Sequence, residues 1–178
     1  VAVGIDVGTA LTTGDNNMLI GRQAGNTMTG TSNTILIGYG AGTAINHTDA
    51  DGTVAIGYQA LLANTSGERN VAIGYQALKT ETVGDASVAI KNIIVGSYAG
   101  DALTTASGST FLGHGAGGTA QTGNDNIAIG RGAMYGGTTT GDNNVTIGVS
   151  ALDAVTSGYN NIAIGNSAAG ALTTGHDN

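Results

Sequence analysis

Three tyrosines, Tyr39, Tyr58 and Tyr75, recur at intervals of 19 and 17 residues, and Gln59 and Gln76 directly follow the last two. A fold that returns the chain to one place every turn would gather them into a row. Such a row, edged by amides, is a platform on which a sugar could lie. It could equally pack on itself or on a neighbouring protomer, because stacked aromatics stabilise β-ladders without any ligand. Asp15, Asp125, Asp142 and Asp177 stand in Asn- and Gly-rich stretches, and oxygen-rich turns can hold Ca²⁺. Asp125 and Asp142 are the calcium candidates. One such turn per repeat is sparse for a cation site, so turn capping is the default and no cofactor is expected. Gly113–Gly118 fits the glycine pattern of a phosphate-binding loop after a strand. However, no helix-forming stretch follows it, and sister repeats hold unrelated residues there. His47, His114 and His176 fall in three different repeat phases, which gives no metal cluster. No Ser/His/Asp or paired-carboxylate constellation recurs, so no catalytic residue is assigned and an enzyme is not expected.

The element that must position these side chains is a repeat. The stretch Val54–Leu61 reads VAIGYQAL, and so does Val71–Leu78. Aligned on the glycine that closes each apolar triplet, the chain yields Gly4, Gly21, Gly38, Gly57, Gly74, Gly96, Gly113, Gly130, Gly148 and Gly165. The intervals are 17, 17, 19, 17, 22, 17, 17, 18 and 17, so ten units account for all 178 residues as a single repeat domain. A fixed period of this length is the signature of a stacked, solenoid-type fold. The one long interval contains Val88–Lys91, a strand-like VAIK without its glycine, which predicts an irregular insertion near residues 85–96.

Composition agrees with this architecture. There are 32 glycines, no proline, cysteine or tryptophan, and only 10% charged residues, so helix is disfavoured. Regular Ile and Val argue against disorder. The net charge of −7 offers no basic footprint for nucleic acid or for an anionic membrane. No apolar run reaches the length of a membrane span and no signal peptide is recognisable, so membrane insertion is not expected. The chain reads as a segment of something longer.

Numbered from the closing glycine, positions −3 and −1 are apolar, with Thr110 the one exception, and mostly β-branched, and they share one face of a short strand. Position −2 varies between Ala and Leu, Ile or Phe and reads as the looser face, partly exposed or packed on a neighbour. Position −4 carries Asn17, Asn70, Asn126, Asn144 and Asn161 among other Asn, Thr and Ser residues. These can bond the turn backbone and stack as a ladder from coil to coil. Glycines in TGDNN, TSGERN, TGNDN and SGYNN are expected to supply positive φ. Position +3 is alanine in nine units of ten, which suits a crowded interior. Where +4 is glycine, +7 tends to be apolar; where +4 is Leu or Met, +7 relaxes. Each coil thus supplies about one further anchor from either of two places.

The expected fold is all-β, a repetitive β-roll or β-solenoid of about ten 17-residue coils. Its core is thin for a free-standing molecule, so identical chains alongside are expected to complete the burial, with a parallel homotrimer preferred.

The unit Asn-x-Ala-Ile-Gly-x-x-Ala-Leu…Thr-x-Gly-x-x-Asn resembles the head repeats of trimeric autotransporter adhesins. The form at Ala55–Leu61 and Ala72–Leu78 is still more similar to repeats of bacteriophage tail-fibre and related virion-fibre proteins. The coils are longer than the adhesin type, which favours the phage-like reading. The resemblance covers all ten units. It implies three parallel β-rolls about a common axis, a location on a virion or cell surface, and attachment to a host-surface glycan or protein. The alternatives are a bacterial trimeric surface adhesin or extracellular filament subunit and, as a minor reading, a monomeric ice- or glycan-binding solenoid. Against the last, the Thr pairs sit in turns rather than forming a flat array.

Overall fold

An apolar triplet between a corner Asn or Thr and a glycine is long enough for one short extended segment only. The computed structural model, which describes residues 1–80, 91–120 and 122–178, shows ten such segments. They are β1 (Ala2–Val3), β2 (Met18–Ile20), β3 (Ile35–Ile37), β4 (Val54–Ile56), β5 (Val71–Ile73), β6 (Ile93–Val95), β7 (Thr110–Leu112), β8 (Ile127–Ile129), β9 (Val145–Ile147) and β10 (Ile162–Ile164). All ten form one parallel sheet in chain order. Like residues pair with like, as in Val54 with Val71 and Ile127 with Val145. The molecule is therefore an all-β solenoid of about nine turns. Among the described residues the single helical piece is a 3₁₀ turn at Thr48–Ala50, within the 19-residue unit between Gly38 and Gly57.

The turns are laddered as well. The +4 amide of each coil donates to the +3 carbonyl of the next, as in Leu61 N to Ala77 O at 3.0 Å and Met134 N to Ala151 O at 2.9 Å. Every coil is thereby tied to its neighbour through turn backbone as well as strand. The strand glycines, including Gly21, Gly38, Gly57, Gly74, Gly130 and Gly165, have φ between 122° and 142°, which side chains rarely adopt. In all of these except Gly165, a Cβ would also lie under 3.0 Å from the backbone of the next coil's glycine.

The core overturns the expected orientation of the strands. Position −2 points inward: Leu19, Leu36, Ala55, Ala72, Ile94, Phe111, Ala128 and Ala163 are buried. Positions −3 and −1 point out. Val1, Val3, Met18, Ile35, Ile93, Leu112, Ile147, Ile162 and Ile164 are exposed, and the remaining members are half-buried between their ladder neighbours. The physical reason is volume. A turn of about 17 residues encloses so narrow a space that one strand side chain fills its share, together with the +3 alanine and one anchor.

That volume is conserved coil by coil. Large −2 residues occur with glycine at +4 (Leu19 with Gly25, Leu36 with Gly42, Ile94 with Gly100, Phe111 with Gly117). Between the two end coils, small ones occur with a buried Leu or Met there (Ala55 with Leu61, Ala72 with Leu78, Ala128 with Met134), whereas the end coils pair Ala2 with Gly8 and Ala163 with Ala169. A Cβ on Gly117 would run into the Phe111 ring, and one on Gly42 would meet Leu36 and Ile45. Leu61, Leu78, Met134 and Leu152 take φ near +50°. That conformation costs a β-carbon-bearing residue about 1 kcal/mol or more, and full burial of the side chain, at about 1.5–3 kcal/mol, offsets it.

The corner glycines are corrected too. Gly14, Gly123, Gly141 and Gly158 do not have positive φ; the left-handed residue lies two positions on, at Asn16, Asp125, Asn143 and Asn160. These glycines serve close approach instead, since a Cβ on Gly141 would run into Gly158 O.

Position −4 forms the expected ladder except at Thr53, whose Oγ1 is buried without a partner among the described residues. Asn126 Oδ1 accepts from Asn144 N at 2.9 Å, and Asn144 Oδ1 accepts from Asn161 N at 3.1 Å. The amide nitrogens of Asn17, Asn92, Asn126, Asn144 and Asn161 donate to corner carbonyls of the next coil. Asn70 takes part through its Oδ1, which accepts from Asn92 N at 2.9 Å. The ladder is buried throughout, so each amide satisfies groups that no water reaches. Asn144→Ala leaves Asn161 N and Gly158 O without these partners, at a cost of about 1–3 kcal/mol for each buried group. Thermal denaturation should show a Tm lower by roughly 5–15 °C, whereas the exposed control Asn166→Ala should stay near wild type.

Of the insertion expected near residues 85–96, residues 85–90 lie outside the described residues. In its described part Lys91 N donates to Glu68 O at 3.3 Å, and β6 pairs in register with β5, so the stack is continuous across it.

Candidate functional site

The +1 position follows the strand glycine and turns its side chain to the surface, so a residue repeated there becomes a row. Tyr39 and Tyr58 stack with centroids 5.4 Å apart and planes 13° from parallel; Tyr58 and Tyr75 do so at 5.0 Å and 10°. The row is longer than the sequence indicated. Tyr98 meets Tyr75 edge-on at 5.2 Å and His114 lies 5.9 Å beyond, while the Arg22 guanidinium sits 5.8 Å from the Tyr39 centroid. Tyr98 escaped notice because it stands at +2, one residue out of phase, with Ser97 at +1.

Beside the row Gln76 Nε2 donates to Gln59 Oε1 at 2.9 Å, an amide ladder parallel to the ring ladder. The structure therefore brings Tyr39, Tyr58, Tyr75, Gln59 and Gln76 together. The ring faces, however, are turned to one another and to Arg22 and Tyr98. A sugar needs a free aromatic face to stack on, and this row turns its faces inward along the stack. Its geometry is that of a structural ladder worth roughly 0.5–1.5 kcal/mol per ring pair.

The calcium candidates do not converge. Asp142 Oδ1 accepts from Asn124 N at 2.6 Å, which is turn capping. Asp125 supplies a left-handed corner residue with φ 55°. Asp177 accepts from Asn160 Nδ2 at 2.9 Å. Among the described residues no group of three or more His, Asp or Glu side chains could hold a metal ion. The phosphate-loop pattern Gly113–Gly118 is explained by packing: Gly113 lies over Gly130, Gly117 makes room for Phe111, and Gly118 makes room for Tyr135. His176 stacks on Tyr159 at 4.8 Å, far along the chain from His114.

The face that the sequence pattern placed inward is an exposed one. Columns −3 and −1 form an uninterrupted outward stripe of Ile, Val, Met, Leu and one Thr across all ten strands, two side chains wide. At roughly 4.8 Å per strand it is about 45 Å long. Contiguous apolar surface of this extent marks an interaction site. Among the described residues no helix is long and apolar enough to cross a membrane. No family model matches this chain, and neither the curated proteins nor the solved structures contain a significant match to it.

Proposed function

We propose that this chain is a structural and attachment segment of a fibre, of the phage or virion type, built from three parallel copies packed through their outward Ile/Val stripes. Its place is the surface of a virion or the extracellular space, its role is to form a rigid rod for contact with a host surface, and it turns over no substrate. The observation that carries this reading is the stripe. A partner that covers it must present apolar side chains at the same rise per strand over its whole length, and a second copy in parallel register does so automatically. A stripe two side chains wide suits three narrow faces closing about an axis, where each −3 column can meet a neighbour's −1 column.

The test is the mass of the folded particle in dilute solution, by sedimentation or native mass spectrometry. The expected result is three times the 17.3 kDa chain mass, independent of the detergent or ligand present. A particle of single-chain mass removes the fibre reading.

A further inference from the structure

We propose that a groove on the turn face of the seventh to ninth coils binds one neutral pyranose unit of a glycan. This goes beyond the fibre reading, because the groove lies on the turns and does not depend on the number of chains. The cavity measures about 290 Å³ and is lined by His114, Gly115, Arg131, Gly132, Tyr135, Gly136, Ser150 and Asp153. That is the low end of ligand pockets, which run to roughly 300–1,000 Å³, and matches a single small ring.

The floor of the groove exists because the +2 column loses its side chains. Gly115 and Gly132 have φ of 65° and 63°, but the same left-handed position holds Gln23, Gln59, Gln76, Tyr98 and Ser150 in other coils. The backbone there does not require glycine. Where the column is Gln, the space is taken by amide side chains; at Gly132 it is open, and at Gly115 it is bordered by the Tyr135 ring.

One wall is Tyr135, the +5 residue of its coil. The Cδ2–Cε2 edge of its ring lies close to Gly115 and Gly118, where added Cβ atoms would come within 3.3 Å and 2.7 Å of it. Among the described residues it stacks with no other ring and it is half exposed, so unlike Tyr58 it has a face to offer. Around it stand a carboxylate acceptor, Asp153, a guanidinium donor, Arg131, and a hydroxyl, Ser150. Among the described residues these three side chains have no hydrogen bond or ion pair. An apolar ring face with acceptors and donors spaced around it is what a polyhydroxylated ring requires. Arg131 and Asp153 balance each other within a chain of net charge −7, which favours a neutral ligand over an acidic one.

The test is amide NMR of the folded chain, titrated separately with the methyl glycosides of glucose, galactose, mannose and N-acetylglucosamine, and with N-acetylneuraminic acid as a charged probe. At least one neutral glycoside should saturably shift the amides of Gly115, Gly132, Gly136 and Ser150. Gly132→Gln refills the floor with the residue its column carries elsewhere. A Cβ at Gly132 meets nothing closer than Ser150 Oγ at 3.7 Å, so the variant should keep the wild-type mass and circular dichroism. It should weaken binding about tenfold or more, as should Tyr135→Ala, while Tyr58→Ala should leave binding unchanged. Asp153→Asn, a surface change that spares the coil, should also weaken it and serves if Gly132→Gln does not fold. No saturable shift from any neutral glycoside, shifts centred on Tyr39–Tyr75, binding that survives filling the groove, or preference for the sugar acid would each overturn the proposal. None of these results would alter the particle mass that tests the fibre.

Discussion

Gly57→Ala should destabilise the chain by about 2–6 kcal/mol, while Gly165→Ala should cost only about 1–3. Both glycines occupy the same place in the repeat, with φ of 138° and 130°, so both substitutions carry the backbone strain of a side chain in a region that glycine alone adopts freely, about 1–3 kcal/mol. They differ in what lies above. A Cβ on Gly57 runs into the carbonyl of Gly74, whereas one on Gly165 meets nothing closer than Ala168 Cβ at 3.8 Å. The steric share, about 1–3 kcal/mol for overpacking, therefore appears in one variant and not in the other. For a chain of this size the difference is a Tm gap of roughly 2–10 °C. Equal losses would mean that the glycine column is selected for φ alone, and that coils have slack to move apart.

What could be read from the residues depended on whether a signal was local. The strand glycines, the Asn corner and the +3 alanines recur at one spacing with little variation, so the period, the strands and the parallel stack were all legible. The direction of the strand face was not. Uniform β-branched columns at −3 and −1 look like core, and the variable −2 column looks tolerant. The variation at −2 is compensation: Ala128 is small because Met134 fills the space across the turn, and Phe111 is large because Gly117 and Ala120 leave it empty. That relation spans six residues and appears only when the two columns are compared as volumes. The corner glycines misled for a different reason. Glycine serves both positive φ and close backbone approach, and the sequence does not tell the two apart; Asn16, Asp125 and Asn160 carry the φ because Asn and Asp tolerate it. In the tyrosine row, stacking was legible from the spacing. That the rings stack face on face, leaving no platform, follows from the tilt of each ring and could not be read from spacing.

The reversed strand face makes the second large prediction. Ile73→Asp should dissociate the proposed trimer, whereas Thr173→Asp, which adds the same charge on an exposed turn, should leave it intact. In a single solenoid the Ile73 side chain points out of the sheet and is half-buried only by its ladder neighbours. An aspartate there can reach water, and its cost to the isolated coil is the weaker strand preference, about 1 kcal/mol or less. In the proposed trimer the same position lies within the packed stripes, and three-fold symmetry brings three carboxylates together. Each buried and uncompensated charge costs about 3–5 kcal/mol, more than the surrounding isoleucines can recover. The expected particle is a monomer that retains its β-sheet circular dichroism, or a chain that no longer folds if the coils depend on one another. Sedimentation at several protein concentrations distinguishes these from the wild type. An Ile73→Asp variant that remains trimeric would place the contacts between chains on the turn faces and leave the stripe to water. The fibre would then have to be rebuilt around a different surface.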